Sequence, residues 1–175
     1  MTPPKVIDFL ATPDRARMFA EIAHAGITYN DEVPYTVHLD HVVSVLRRFG
    51  FTDSIMICAG YTHDSLEDTK TSYKRLKEKF GEEVAELVFA VTNELGRNRT
   101  EKNAKTYPKI QGFDRATALK LADRIANVEY GMATEGGKRD MYVKEYPGFK
   151  LAIKVPTEDA RIDRMWAHLD LLLAA

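Results

Sequence analysis

Apolar residues recur at helical spacing along most of this chain. Ala16, Phe19, Ala20, Ile22 and Ala23 form a stripe that predicts a helix over 14–25, with Thr12-Pro13-Asp14 as its start and Gly26 as its stop. Val42, Val43, Val45, Leu46 and Phe49 mark the apolar side of a second helix, entered at about Thr36 and closed by Gly50. Residues 54–63 are nearly continuous in apolar character (Ile55, Met56, Ile57, Cys58, Ala59), and Asp53 can cap them. A helix apolar on every side belongs in the centre of a fold. Two more helices are expected over 71–80 and 82–91, separated by Gly81, and a longer one from Asp114 to about Tyr130. Residues 131–137 read as a glycine-containing turn. A short helix from Lys138 should stop before Pro147-Gly148, and a last amphipathic one over 157–173 carries Ile162, Met165, Trp166, Leu169 and Leu172. No stretch of useful length alternates at the period of a strand, so the expected class is all-α, with about seven to nine helices.

Two stretches do not follow the helical pattern. Residues 28–35 read as a loop, with Pro34 keeping its predecessor extended. From Thr92 to Gly112 polar and charged residues dominate, and the segment reads either as a solvated connection or as a basic lip over an anionic ligand. Composition favours the connection.

A chain of 175 residues is long enough for one domain with a substantial core and short for two. The 45% hydrophobic and 29% charged residues place it among globular rather than disordered chains. With 25 basic against 26 acidic residues and no long basic run, nothing points to nucleic acid or an anionic membrane. The single cysteine, Cys58, excludes a disulfide within the chain and reads as a small buried hydrophobe. Neither a signal peptide at Met1-Thr2-Pro3-Pro4-Lys5 nor an apolar run of spanning length is present, which makes the cytoplasm the expected location.

Candidate chemistry concentrates in Tyr61-Thr62-His63-Asp64-Ser65-Leu66-Glu67-Asp68-Thr69, where one imidazole and three carboxylates follow an apolar run. Such a cluster is costly to hold together unless a cation neutralises it. On a helix, His63 and Asp64 can both reach one ion, and Glu67 and Asp68 stand one turn further on, placed to hold and deprotonate a water. The alternative is an ordinary helix end with a solvated acidic turn. Asp123 lies in the middle of an apolar helix, where a carboxylate either ligates a metal or pairs with a base, Arg124 being its neighbour; Asn127 follows one turn later. His38 and His41 could share a face at a helix start, and only one need be a ligand. His24 and His168 read as surface or structural residues. Two imidazoles and two carboxylates, His38, His63, Asp64 and Asp123, suit a divalent ion such as Mn²⁺, Fe²⁺, Co²⁺ or Zn²⁺.

The order His, then His-Asp, then Asp resembles the HD superfamily of metal-dependent phosphohydrolases, and more narrowly the hydrolase domains of the RelA/SpoT type. Val33-Pro34-Tyr35-Thr36-Val37-His38 is similar to the motif T-P-Y-(I)-x-H-P of those domains, and the stretch His63 to Thr69 to H-D-T-V-E-D-T. Phe80-Gly81-Glu82-Glu83-Val84 begins a stretch similar to F-G-x-E-V-A-x-L-V, and Lys120 to Asn127 is similar to K-L-A-D-R-L-x-N. The resemblance covers about residues 16 to 145. It implies a single HD-type helical bundle that uses Mn²⁺ to remove the 3′-pyrophosphate of guanosine tetra- and pentaphosphate. It also implies roles: His38, His63, Asp64 and Asp123 on the metal, Glu67 and Asp68 on the attacking water, and Asn127, Lys102 and Arg139 on the substrate.

The chain also departs from that pattern. After His24 the family carries a glutamine and a basic pair that contact phosphate, whereas this chain reads Ala25-Gly26-Ile27-Thr28-Tyr29-Asn30-Asp31, and Leu39 replaces a proline after His38. The turn between Asn127 and Arg139 is short. A hydrolase of another nucleotide, and a module that binds a nucleotide without turnover, are therefore the competing expectations.

Overall fold

The computed structural model describes residues 11–31, 33–134 and 139–174. The N-terminal stretch read above for targeting signals, and residues 135–137 of the glycine-containing turn, lie outside the described residues. Helices dominate, as the periodicity predicts. They are α1 (Pro13–Ala23), α2 (Thr36–Arg48), α3 (Ser54–Thr62), α4 (Ser65–Asp68), α5 (Tyr73–Phe80), α6 (Glu82–Val91), α7 (Arg99–Ile110), α8 (Asp114–Ala133), α9 (Arg139–Ile153) and α10 (Ala160–Ala174). None is long and apolar enough to cross a membrane among the described residues.

Helix α3 is the central element. The Asp53 carboxylate accepts from the Met56 backbone N–H at its start, and every residue from Met56 to Thr62, Cys58 among them, is buried. Helices α1, α2, α6 and α8 pack around it, and α10 closes the far side of α8. The core continues through Leu46, Leu87, Leu121 and Ile125 to Trp166 and Phe149. Gly60 permits the closest approach of α3 to α2: a Cβ there would stand 2.9 Å from Leu46 Cδ1 and 3.0 Å from Val43 Cγ2. Gly60→Ala should therefore cost roughly 1–2 kcal/mol net of its better helix propensity, seen as a fall of about 2–8 °C in Tm. An unchanged melting curve would show that the two helices separate freely.

Four local expectations are corrected. The stretch 28–35 is not a plain loop but a small antiparallel hairpin, β1 (Thr28–Tyr29) against β2 (Val33–Pro34), with Tyr29 opposite Val33. Two-residue strands are too short to show alternation. The polar segment 92–112 contains α7, capped by the Asn98 side chain, which accepts from the Glu101 N–H. Its buried face is narrow, Thr106, Tyr107 and Ile110, so composition hid it. Helix α9 continues through Pro147 to Ile153 because Tyr142, Phe149 and Ile153 are buried along it, and Tyr146 and Lys150 both bond Asp170 of α10. Tertiary contact outweighs the lost backbone donor. Gly131, read as part of a turn, lies inside α8.

Two histidines take specific places outside the cluster: His41, weighed beside His38 as a ligand, and His168, read as structural. His41 and His168 both meet Glu129, each with Nε2 at 2.9 Å from a carboxylate oxygen, and Arg48 donates to the same group at 2.5 Å. Helices α2, α8 and α10 are tied together there. Burial alone would raise the Glu129 carboxyl, but hydrogen bonds from His41, His168 and Arg48 outweigh it and hold the pKa at about 2. A depressed folded-state pKa contributes stability above the unfolded value near 4.5, and that stability is lost as pH falls through 2. Glu129→Gln should thus destabilise by roughly 2–3 kcal/mol at pH 7 and by much less at pH 2, measured by urea unfolding at both values. An equal effect at both would mean that the charge contributes nothing.

Candidate metal centre

Four segments meet at one end of α3. Helix α2 presents His38 in its first turn, fully buried. The regular part of α3 ends at Thr62; His63 and Asp64 keep helical dihedrals beyond it, and α4 follows at once. The helix ends as expected over 54–63, and the one-turn spacing beyond it is kept by α4: the Glu67 and Asp68 N–H groups both donate to Asp64 O, which brings those side chains back beside Asp64. Asp123 comes from the middle of α8.

His63 Nε2 lies 3.0 Å from Asp64 Oδ2 and 3.8 Å from Asp123 Oδ1, while His38 Nε2 lies 3.6 Å and 3.4 Å from the same two oxygens. Ligand atoms of His38, His63 and Asp64 all fall within 4.8 Å of one another. His63 Nδ1 donates to Gly60 O at 2.9 Å, which fixes the tautomer and leaves Nε2 as a lone pair. That Nε2 is buried with no hydrogen-bond partner. A buried, pre-oriented nitrogen lone pair facing two carboxylates is the environment a divalent cation fits, and the donor set of two nitrogens and two oxygens matches it. Burial would lower His38, but hydrogen bonds to Asp123 and Asp64 and their charge raise it to about 9; burial likewise opposes His63, and chiefly the Asp64 charge raises it. Both carboxyls are held well below their ordinary range, Asp64 mainly by His63 and Asp123 mainly by Lys120 against the cost of burial.

Side chains around the cluster fix its orientation. Tyr35 OH donates to Asp64 Oδ2 at 2.7 Å, and its ring stacks on His24, 4.9 Å between centroids and 3° from parallel. His24 is accordingly buried, not a surface residue. Asn127 Nδ2 donates to Asp123 Oδ1 at 2.6 Å and its carbonyl accepts from Tyr29 OH at 2.8 Å. The side chain expected to touch substrate thus also orients a carboxylate. Arg124 does not pair with Asp123 but reaches Glu145 at 3.2 Å. The base beside Asp123 is Lys120, whose Nζ is 3.1 Å from Oδ2.

A cavity of about 250 Å³ opens over this cluster. Its walls include Tyr29 and Asn30 of the hairpin, Asp64, Glu67 and Asp68, and Arg99, Lys120 and Arg124. Glu67 is held at the rim by Asn93, whose N–H and Nδ2 donate to its two oxygens at 2.7 and 2.9 Å. Protein packed on the inner side, and then the Asp64 charge, raise both Glu67 and Asp68 above the ordinary carboxylate range. The basic residues expected on the substrate are placed elsewhere. Lys102 is exposed and does not line the cavity, and Arg139 donates to Leu172 O at 3.3 Å on α10. Arg99 on the same helix as Lys102 lines it instead. Tyr29, Tyr35, Asn93 and Lys120 were not singled out from sequence. Only Tyr35 and Lys120 left a trace there, inside the quoted motifs.

An ordered His, His-Asp, Asp set drawn from three helices and closing on one point is the decisive feature, and the HD domain family matches over residues 16–146. The chain belongs to the HD domain family.

Relatives of this HD domain include the guanosine-3′,5′-bis(diphosphate) 3′-pyrophosphohydrolase of Aquifex aeolicus, 36% identical over 136 residues, 75% of this chain and 19% of that protein. The bifunctional (p)ppGpp synthase/hydrolase SpoT of Escherichia coli is 31% identical over 139 residues, covering 75% and 20%. The chain thus spans about a fifth of the length of the curated relatives it matches. Among solved structures, a metazoan ortholog of SpoT described as hydrolysing ppGpp superposes with a TM-score of 0.73 at 22% identity, over 91% of this chain and 96% of that one. At that identity the likeness is one of fold.

Proposed function

We propose that this HD domain is a metal-dependent phosphohydrolase that removes the 3′-pyrophosphate of guanosine tetra- and pentaphosphate, releasing pyrophosphate and GDP or GTP. The observation that carries the reading is the convergence of His38, His63, Asp64 and Asp123 beneath a cavity whose rim holds two further carboxylates. The names of the relatives supply the substrate. His38, His63, Asp64 and Asp123 would hold the ion, with Mn²⁺ the choice that the family resemblance favours. When bound, a divalent cation supplies Lewis-acid activation of water and of a phosphoryl oxygen. Glu67 and Asp68 then accept the proton of the attacking water at their carboxylate oxygens, Asn93 keeping Glu67 at the rim. Raised carboxyl pKa values suit that task, since a base nearer neutral pH is a better proton acceptor. Asn127, bonded to Asp123 and Tyr29, stands where it can orient both ligand and nucleotide.

One observation favours a different nucleotide. The hairpin wall carries Tyr29 and Asn30 and no cation, so a phosphate on that side of the substrate would find only neutral donors. Product analysis separates the readings: purified protein with Mn²⁺ is offered guanosine tetraphosphate beside a panel of ordinary nucleotides. Pyrophosphate released selectively from the alarmone establishes the proposal. Turnover confined to another nucleotide keeps the chemistry and discards the substrate, and silence on all of them leaves a nucleotide-binding module.

A further inference from the structure

We infer that Lys120 is a phosphoryl-binding residue of this site, a role that rests on the hydrolase reading above. Four carboxylates line the cavity, Asp64, Glu67, Asp68 and Asp123. A polyanionic substrate entering among them needs cations that are not already committed. Of the three lysine and arginine side chains in the lining, two are committed: Arg99 Nε donates to Glu145 Oε1 and Arg124 Nη1 to Oε2 of the same carboxylate. The Arg124 guanidinium also lies against protein, 4.7 Å from the Tyr142 ring centroid and 4.2 Å from that of Phe149.

Lys120 differs from both. Its side chain is only 13% exposed, lines the cavity, and makes one described hydrogen bond, to Asp123 Oδ2 at 3.1 Å. An ammonium carries three donors, so two N–H groups remain for a ligand beside the metal cluster. Asp123 meanwhile uses its other oxygen, Oδ1, toward His38 and Asn127. One lysine therefore lies between a proposed metal ligand and the space a phosphoryl group must occupy. Charge-assisted bonds from such a position strengthen as negative charge builds on phosphoryl oxygens.

The test separates phosphate binding from mere support of Asp123. Mn²⁺ affinity and inorganic pyrophosphate affinity are measured by calorimetry on the wild-type protein, Lys120→Met and Lys120→Arg, with kcat and KM on whichever nucleotide is turned over. The expected result is Mn²⁺ affinity within about threefold of wild type, pyrophosphate binding weakened at least about tenfold, kcat/KM lowered about 10²-fold, and partial recovery in Lys120→Arg. Pyrophosphate affinity unchanged while Mn²⁺ affinity falls overturns the inference and leaves Lys120 as a positioning residue for Asp123. Should Lys120→Met not fold, the ¹⁵N signal of the Lys120 ammonium in the wild-type protein decides: a shift on adding pyrophosphate supports the contact, and no shift overturns it. If no nucleotide is hydrolysed, the functional reading fails, yet pyrophosphate binding still decides the role of Lys120.

Discussion

Replacing Asp64 with alanine should lower kcat/KM by roughly 10³-fold or more, about 4 kcal/mol of transition-state stabilisation, and strip the protein of its divalent ion. Three groups converge on the Asp64 carboxylate: Tyr35 OH at 2.7 Å, His63 Nε2 at 3.0 Å and His38 Nε2 at 3.6 Å. Without it, both imidazoles face Asp123 alone, and a tyrosine hydroxyl loses its acceptor. Loss of metal should therefore accompany loss of turnover, read as metal content after dialysis alongside initial rates. A variant that retains activity within tenfold of wild type would remove Asp64 from the centre.

Glu67→Gln should give the second largest effect and a different signature. In the proposed mechanism Glu67 takes a proton and does not hold the ion, so kcat should fall about 10²- to 10³-fold while KM and Mn²⁺ affinity stay near wild type. Asn93→Ala, which removes the side-chain half of the clasp on Glu67, should cost less, about tenfold. The acidic limb of the wild-type profile should lie above the ordinary carboxylate range, since burial first and Asp64 second oppose ionisation of Glu67 and Asp68. Activity is lost as pH falls through that value because a protonated carboxyl accepts nothing. A Glu67→Gln enzyme that loses metal in step with activity would assign Glu67 to the ligand set instead.

The contrast between Lys120 and Arg124 shows where local reading stops. Both flank Asp123, and adjacency made Arg124 the natural partner. On α8, however, Lys120 is one turn away on the same face, while Arg124 turns toward α9 and Glu145. Similarly, His38 and His41 are three residues apart at one helix start, yet only His38 reaches the cluster, and His41 bonds Glu129 further along α8. Lys102 and Arg99 repeat the lesson on α7.

Sequence by itself determined most of the helices and singled out the residues of the cluster. Apolar spacing set α6 to the residue, because burial of a helical face leaves a period of 3.6 in the chain, and the near-continuous apolarity of 54–63 marked α3 as central. The His-Asp pair and the mid-helix Asp123 stood out because uncompensated charge beside apolar residues is costly anywhere. Tertiary structure alone decided which carboxylate meets which base, where the hairpin, α7 and the full length of α9 form, and which cations reach the cavity. Those outcomes depend on contacts between segments far apart in the chain, such as Tyr29 with Asn127 and Arg99 with Glu145, and long-range contacts leave no period in a local sequence.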